Sequence, residues 1–400
     1  MSRPKPKVIS LFSGAGGLDL GVEAAGAKIA VCVEPDEHCV ATLRANSKGH
    51  GWKVLDQRIQ TYKTADILKA ARLEVGEAAL VIGGPPCQPF SKSGFWVEGR
   101  KGIHDERNLL GEFVRVVKEA RPQGFIMENV FGLFYKTSKI AFDQLHEELT
   151  DEGYTIEFRV VNAADYGVPQ IRERLFVLGS RVNARLRFPE GGYRGPDFVS
   201  NGRGSNGSNG RGKSTDAEAL KLFDVKSLGY KRWVTAGDVI GKLAARFDKQ
   251  PELAYKGRWK KQLKAIPPGR NYLYFTEHEG HRKPIWKWRS RYWSFLLKLS
   301  PEKPSWTIQA QPGPAIGPFH WNSRYLSELE MKRIQTFPDT YVIKGPKREV
   351  QRQIGNAVPP RLGEVIAAGL LQQIQSESSL NGATKSASGG LTRGRVAVRQ

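Results

Sequence analysis

One cysteine of this 400-residue chain is placed where a reactive thiol is expected. Cys87 lies in the segment Gly83–Ser91 (GGPPCQPFS), which directly follows the apolar run Leu80–Ile82. The glycines and prolines before it restrict the backbone, and a helix is expected to follow, a setting that lowers a thiol pKa and exposes the sulfur. Most cysteines are instead small buried hydrophobic residues, and Cys32, inside an apolar run, fits that alternative better. Cys87 is therefore the candidate nucleophile.

A carboxylate follows another apolar run. Glu128-Asn129-Val130 comes directly after Gly124–Met127. If both runs are parallel strands, Glu128 and Cys87 lie at the same edge of one sheet. A solvated loop glutamate is the alternative.

A glycine-rich turn, Phe12-Ser13-Gly14-Ala15-Gly16-Gly17, ends the first apolar run of the chain. Such a turn brings backbone close to a ligand at a helix N-terminus. Asp19 occupies the position where the fingerprint G-x-G-x-x-G requires its third glycine, so a pyrophosphate site is not specified. Glu34, at the end of the second apolar run, is placed to accept hydrogen bonds from ribose hydroxyls. These residues predict an adenosine-containing cofactor without a diphosphate; the alternative is an ordinary tight turn beside a surface carboxylate.

The elements that must position these residues alternate between buried strands and helices, with apolar runs at 8–12, 29–33, 80–82, 124–127 and 175–179. This pattern predicts an α/β fold, a doubly wound and mostly parallel sheet that binds ligands at the carboxyl ends of its strands. The basic, tryptophan-rich composition of residues 216–350 predicts a second, smaller domain of irregular α+β structure. The predicted boundaries are 1–188 for the catalytic and cofactor-binding domain, 189–215 for a flexible linker, 216–350 for the second domain, 351–375 for a return to the first, and 376–400 for a disordered tail.

The chain is strongly basic, with 62 Lys and Arg against 40 Asp and Glu. Residues 181–300 carry 26 of these cations and 10 of the acids, so they hold +16 of the formal +22. This region is predicted to bind a polyanion. Three cysteines are too few for a disulfide framework, and no apolar run approaches a membrane span, so we expect a cytoplasmic, nucleoid-associated protein. No His/Cys cluster has metal-ligand spacing, so no metal is expected.

Together these blocks resemble the cytosine-C5 DNA methyltransferases, and the resemblance covers about residues 8–188 and 300–372. The ordered series is Phe12–Gly17, Glu34, Asp66-Ile67, Pro86-Cys87-Gln88, Glu128-Asn129-Val130, Gln170-x-Arg172-x-Arg174 and Gln353–Pro359. It implies the class I S-adenosyl-L-methionine-dependent methyltransferase fold, with the basic region as the variable target-recognition domain. Pro35 stands where family members often carry an aromatic residue that stacks on adenine.

The resemblance implies S-adenosyl-L-methionine as the cofactor. The residues expected to bind it are Phe12, Ser13, Gly14, Gly16, Gly17, Glu34, Asp66, Ile67, Pro86, Asn356 and Val358. It also implies that the Cys87 thiolate adds to carbon 6 of cytosine, which activates carbon 5 toward a sulfonium methyl. Glu128, with a pKa raised by desolvation, would protonate N3. Arg172, with Arg174 nearby, would hydrogen-bond the base carbonyl, unless both are exposed charges on an edge strand.

This chemistry requires a base flipped out of double-stranded DNA. Residues 91–103 (SKSGFWVEGRKGI) are predicted to form a mobile loop that closes over the DNA, the alternative being a disordered surface loop. The segment Trp286–Trp293 interleaves cations with aromatic rings, as nucleic-acid-binding surfaces do. Trp288 and Trp293 could equally belong to a small core.

The leading hypothesis is a stand-alone, monomeric DNA cytosine-5 methyltransferase of the bacterial or phage modification type, paired in function with a restriction endonuclease. A tRNA substrate is a second hypothesis, but that branch of the family usually carries Cys-Phe-Thr in its recognition region, and this chain has no cysteine after Cys87. The third is a catalytically inactive DNA-binding module, which the intact Cys87, Glu128 and Arg172 oppose.

Overall fold

The structure is a computed structural model that describes residues 4–86, 109–130, 139–195, 229–289 and 292–388. The candidate nucleophile Cys87, the predicted loop 91–103 and most of the predicted linker lie outside these ranges.

The described chain contains strands and helices in the alternation that the sequence predicts. The strands are β1 (Lys7–Leu11), β2 (Lys28–Val33), β3 (Lys53–Leu55), β4 (Leu80–Gly83), β5 (Gly124–Asn129), β6 (Thr155–Asn162), β7 (Gln170–Ile171), β8 (Glu173–Ser180), β9 (Tyr193–Arg194), β10 (Lys231–Arg232) and β11 (Ser305–Trp306). The helices are α1 (Gly17–Ala24), α2 (Glu37–His50), α3 (Thr64–Ala71), α4 (Leu109–Ala120), α5 (Lys139–Asp151), α6 (Ala236–Ile240), α7 (Ala244–Phe247), α8 (Lys260–Ala265), α9 (Glu328–Ile334), α10 (Lys347–Asn356) and α11 (Pro360–Ser388).

Seven strands form one sheet in the order β3-β2-β1-β4-β5-β8-β6. The first five are parallel, while β8 runs antiparallel to both β5 and β6. The predicted α/β fold with a mostly parallel sheet is confirmed. All residues of β4 and β5 are buried, as expected of central strands covered by helices on both faces.

The carboxyl ends of the parallel strands meet at one edge of the sheet. The turn after β1, Glu34 after β2, the segment Gly84–Pro86 after β4, and Glu128 at the end of β5 all lie there. The residues that the sequence marks for chemistry are thus gathered at the edge where such folds bind ligands.

The chain contacts the sheet domain before residue 351. β11 pairs in parallel with β7, matching Ser305 with Gln170, and Tyr341 donates a 2.7 Å hydrogen bond to the carbonyl of Ala15. Ser305 and Tyr341 therefore contact the first domain, whereas Phe319, which lies between them in the chain, packs in the core of the predicted second domain. The predicted boundary at 351 stays a prediction. Long-range pairing of a two-residue strand leaves no pattern in the sequence.

Two other predicted boundaries lie within packed or helical segments. Residues 189–195, predicted as the start of the linker, are packed: β9 pairs with β10, and a Cβ at Gly191 would lie 2.2 Å from the carbonyl oxygen of Asp165. At the other end, α11 continues through Ser388, beyond the predicted start of a disordered tail at 376.

A small, largely aromatic core lies within the predicted second domain. Its buried members are Tyr255, Leu263, Ile266, Phe275, Leu296 and Phe319, with Trp286 packed against them. In the described part of residues 216–350, both strands, β10 and β11, pair with strands from outside that range. This part contains short helices and turns besides these two short strands, and the second, irregular α+β domain stays a prediction.

Candidate active site

The turn after β1 exposes backbone at one point. Gly14 has a φ of +54°, and a Cβ built on it would meet nothing within 4 Å. Phe12 also has a φ of +54°, which is uncommon for a residue other than glycine. Gly14 is therefore the position where a ligand can approach the main chain most closely.

Gly16 and Gly17 are needed for the close packing of the C-terminal segment, and their predicted cofactor contact stays a prediction. A Cβ on Gly16 would lie 2.7 Å from the Tyr341 hydroxyl, and one on Gly17 would lie 2.3 Å from the Val358 carbonyl oxygen. These glycines admit the C-terminal segment against α1. Val358 is buried in that contact, whereas Asn356 is exposed.

Glu34 bridges two loops from a buried position. Its Oε2 accepts a 2.8 Å hydrogen bond from the amide of Gly14, and its Oε1 accepts one of 2.9 Å from the amide of Asp36. The side chain is only 8% exposed, and burial raises its pKa while the two amides oppose that shift. This excludes the alternative of a surface carboxylate and fixes Glu34 beside Gly14.

Asp36 ties this corner to α10. It caps α2 by accepting a 3.0 Å hydrogen bond from the amide of Cys39, and both its oxygens accept 2.8 Å bonds from Arg352. Through these hydrogen bonds the turn around Gly14 and Glu34 is connected to α10.

Asp66 and Ile67 lie in α3 and not directly after a strand, where a cofactor-binding pair is expected. Asp66 is exposed in the first turn of α3 and accepts a 3.1 Å hydrogen bond from the amide of Lys63, while Ile67 is completely buried in the core. The carboxylate that directly follows β3 at the ligand-binding edge is Asp56, paired with Arg44 at 2.6 Å. Sequence reasoning missed Asp56 because β3 has only three residues and gives no clear apolar run.

Asp19, at the place of the missing third glycine, is completely buried under the turn. Its Oδ1 accepts a 3.5 Å hydrogen bond from the thiol of Cys32, while its Oδ2 has no partner. Burial raises the pKa of Asp19 to about 6. Cys32 is a buried thiol, as the sequence indicated.

Glu128 is the second buried carboxylate at this edge. It is 8% exposed, and its Oε1 lies 3.0 Å from Nε of Arg174. A Cβ on Gly84, three residues before Cys87, would lie 3.2 Å from Glu128 Oε2. Burial raises the pKa of Glu128, and the two nearby arginines oppose the shift, Arg174 more than Arg172. A solvated loop glutamate is therefore excluded.

Asn129 locks the loop that leads to the candidate nucleophile. Its Nδ2 donates a 3.0 Å hydrogen bond to the carbonyl of Pro85, and its own Oδ1 accepts one of 2.7 Å from the amide of Val130. Pro86 follows as an exposed residue. The end of β5 thus holds the described part of the loop after β4 directly beside Glu128.

The two arginines differ in their partners. Arg172 is 1% exposed and donates from Nη1 to the Gly355 carbonyl at 2.8 Å and from Nη2 to the Asn356 carbonyl at 3.4 Å. Burial lowers the pKa of Arg172 to about 9. Arg174, which is partly exposed, contacts Glu128 instead. Neither is an exposed charge on an edge strand.

A buried glutamine pair supports this end of the site. Gln170 donates a 2.5 Å hydrogen bond to Gln335, and Gln335 donates to the carbonyls of Ile354 and Ala357 at 2.9 and 2.8 Å. Gln335 was missed by sequence reasoning because it lies in none of the blocks that signal chemistry. Gln335 positions the turn at 354–357, whose carbonyls at 355 and 356 also accept hydrogen bonds from Arg172.

Within the described ranges, no group of three or more His, Cys, Asp or Glu side chains could hold a metal ion. A search of the same residues finds no helix with the length and apolar character of a membrane span.

The mostly parallel seven-stranded sheet is the fold of the class I methyltransferases. The chain belongs to the C-5 cytosine-specific DNA methylase family, whose model matches residues 6–372. It is 42% identical over 392 residues to the type II methyltransferase M.SacI of Streptomyces achromogenes, covering 92% of this chain and 93% of that protein. It is 32% identical to M1.HphI of Haemophilus parahaemolyticus over 92% and 87% of the two chains. The crystal structure of a DNMT2 variant of Spodoptera frugiperda shares the fold, with a TM-score of 0.60 and 14% identity over 93% of this chain and 100% of that one.

Proposed function

We propose that this enzyme transfers the methyl group of S-adenosyl-L-methionine to carbon 5 of a cytosine flipped out of double-stranded DNA, through a covalent bond between Cys87 and carbon 6. Cys87 lies outside the described residues, so its role rests on the family and on the loop that precedes it. Because its relatives are named type II methyltransferases, we also propose that it is the modification enzyme of a restriction–modification system.

The observation that carries the proposal is the desolvated carboxyl of Glu128 against the loop that leads to Cys87. Addition of a thiolate to carbon 6 pushes electrons toward N3, and a proton at N3 neutralises that charge. A carboxyl whose pKa is raised by burial holds that proton closer to neutral pH than an exposed glutamate does. Glu128 is thus suited to donate a proton at N3.

Arg174, rather than Arg172, is the arginine best placed to act on the base. Its contact with Glu128 orients the carboxyl and sets a guanidinium beside it, where it can also donate to the base carbonyl. Arg172 already donates to two main-chain carbonyls, so it acts by positioning the turn at 355–356. This reverses the order of importance expected from the sequence.

The residues around Gly14 fit an adenosine-containing methyl donor. The open main chain at Gly14 is hydrogen-bonded to the buried carboxylate of Glu34, and Asp56 adds a carboxylate after the neighbouring strand β3. When bound, S-adenosyl-L-methionine supplies an electrophilic methyl group. Glu34 and Gly14 would hold its ribose side, while Gly16, Gly17 and Val358 stabilise the turn from behind.

A nucleic acid is the substrate that the charge distribution favours, and the family makes duplex DNA the choice. In the second domain Lys283, Lys287 and Arg289 are all exposed, on the part of the chain that carries most of the net positive charge. Phosphate contacts of this kind give affinity without reading sequence.

The test is to incubate the protein with labelled cofactor and either DNA or tRNA, and to identify the methylated nucleoside by mass spectrometry. We expect 5-methylcytosine in DNA only. Methylation of tRNA alone would support the RNA hypothesis, and methylation of neither would support an inactive DNA-binding module.

The covalent step needs a separate experiment. A duplex with 5-fluorocytosine at the target should trap an adduct that peptide mapping places on Cys87. Cys87→Ser should lose turnover while it retains DNA binding, whereas Cys39→Ser, a buried cysteine in α2, should remain active at a modest cost in stability. Trapping on another residue, or turnover by Cys87→Ser, would refute the mechanism.

A further inference from the structure

Trp293 is an exposed aromatic side chain on the second domain. Its indole is 47% exposed, which is high for so large an apolar ring. Its main chain is nevertheless fixed, because its carbonyl accepts a 2.7 Å hydrogen bond from Nδ2 of Asn271, a residue only 4% exposed. An exposed ring on a rigid support is a feature of binding surfaces.

The ring is also held from the side of the catalytic domain. Trp293 packs edge-on against Trp306, with ring centroids 5.3 Å apart and planes at 79°. Trp306 lies in β11 and pairs with Ile171 of β7, while the Thr307 hydroxyl donates a 2.9 Å hydrogen bond to the Ile171 carbonyl. Ile171 immediately precedes Arg172 in the chain. Trp293 therefore lies where the second domain contacts the catalytic domain, at the seam between them. It is connected to Arg172 through Trp306 and Ile171.

The composition of the chain before Trp293 favours nucleic acid over an apolar partner. The exposed cations Lys283, Lys287 and Arg289 lie in the same stretch of chain, and the region as a whole carries most of the net charge. Aromatic rings among cations bind nucleic acid by stacking on bases while the cations contact phosphates.

We propose that Trp293 stacks on a base that loses its neighbour when the target cytosine leaves the duplex, and so stabilises the extruded state. This rests on the proposed function. Extrusion breaks the stacking on both sides of the target, and a rigid indole at the seam can replace part of it without ordering a flexible side chain. Trp306 is the positioning residue that fixes the indole.

The experiment uses the full chain and compares Trp293→Ala with Trp293→Phe and Ile285→Ala. Ile285 is a matched control, because it is 46% exposed in the same domain. Two duplexes are needed: one that the unaltered enzyme methylates and one of the same length that it does not. Affinity is measured on both, and extrusion is followed by 2-aminopurine fluorescence at the target position.

We expect Trp293→Ala to bind the methylated duplex at least fivefold more weakly and to lose most of the fluorescence increase, with little change on the other duplex. Trp293→Phe should recover most of both signals, and Ile285→Ala should resemble the unaltered enzyme. Cofactor affinity and melting temperature should be unchanged in Trp293→Ala, which separates stacking from a structural defect.

Equal weakening on both duplexes would make Trp293 a general DNA contact and overturn the proposal. An unchanged fluorescence increase in Trp293→Ala would also overturn it. If the unaltered enzyme methylates no DNA at all, the proposed function fails first, so the two failures are distinguishable.

Discussion

Glu34 and Glu128 end parallel strands at the same sheet edge, and each is 8% exposed, yet they are held in opposite ways. Both oxygens of Glu34 accept main-chain amides, which are fixed and favour the ionised form. Glu128 accepts from a side chain, that of Arg174, and lies against the loop leading to Cys87. A carboxylate bound by amides serves as a permanent acceptor, whereas one bound by a side chain can change its protonation state during a reaction.

The largest expected effect follows from replacing the second of these carboxylates. Glu128→Gln should lower kcat by about 10²–10⁴-fold, because the amide cannot donate a carboxyl proton, and should leave cofactor affinity nearly unchanged. The pKa of Glu128 is raised by burial, so the protonated fraction, and with it the rate, should fall as pH rises through that pKa. The variant should lack this limb of the pH–rate profile.

Glu173→Gln provides the control, since Glu173 neighbours Arg174 but is exposed. It should keep both the rate and the pH limb. A Glu128→Gln variant with normal kcat would show that the difference between the two buried carboxylates has no catalytic meaning.

Asp19 extends the comparison, because it is a completely buried carboxyl whose pKa is raised by burial more than its hydrogen bonds lower it. Its pKa of about 6, against 3.8 in an unfolded chain, means that the folded state binds more protons between these values. Stability should therefore fall as pH rises from about 4 to 6, by about 3 kcal/mol from this group.

Urea unfolding of Asp19→Asn against the unaltered protein measures that contribution directly. The free energy of unfolding of Asp19→Asn minus that of the unaltered protein should be up to about 3 kcal/mol larger at pH 7.5 than at pH 4. If the difference between the two proteins does not depend on pH, the Asp19 carboxyl is not destabilised by burial.

Replacing Glu34 should affect binding instead of chemistry. In Glu34→Gln one acceptor becomes an amide donor facing a main-chain N–H, which costs about 1–3 kcal/mol and should weaken cofactor binding roughly 5- to 160-fold in calorimetry. At saturating cofactor, kcat should change little. Asp66→Asn is the matched control and should bind cofactor normally, because Asp66 caps α3; weakened binding there would restore the original assignment from sequence.

The misplacement of Asp66 shows where sequence reasoning succeeds and where it stops. Long apolar runs such as β4 and β5 predict buried strands because their burial depends on local pattern, and Glu34 and Glu128 follow such runs. A three-residue strand gives too little pattern, so Asp56 was overlooked in favour of an Asp-Ile pair in a helix.

Long-range contacts were equally out of reach. The sequence predicts a cofactor contact for the glycines at 16 and 17, but it gives no sign that they also pack against Tyr341 and Val358, more than 300 residues away. Arg172 was expected on the base, but it binds carbonyls at 355 and 356. Residue type and spacing indicated that these positions are constrained, and only the tertiary packing shows by what.

The smallest expected effect concerns the exposed cations of the second domain, whose charges solvent and salt reach, unlike those of the buried carboxylates. Neutralising one phosphate contact, as in Lys287→Gln, should weaken binding only a few-fold and equally on target and non-target duplexes. The slope of log affinity against log salt should fall by about 0.9, because one fewer counterion is released. Lys48→Gln, an exposed lysine in α2, should leave the slope unchanged. A loss confined to the target duplex would instead identify Lys287 as a base reader, since a phosphate contact cannot distinguish sequences.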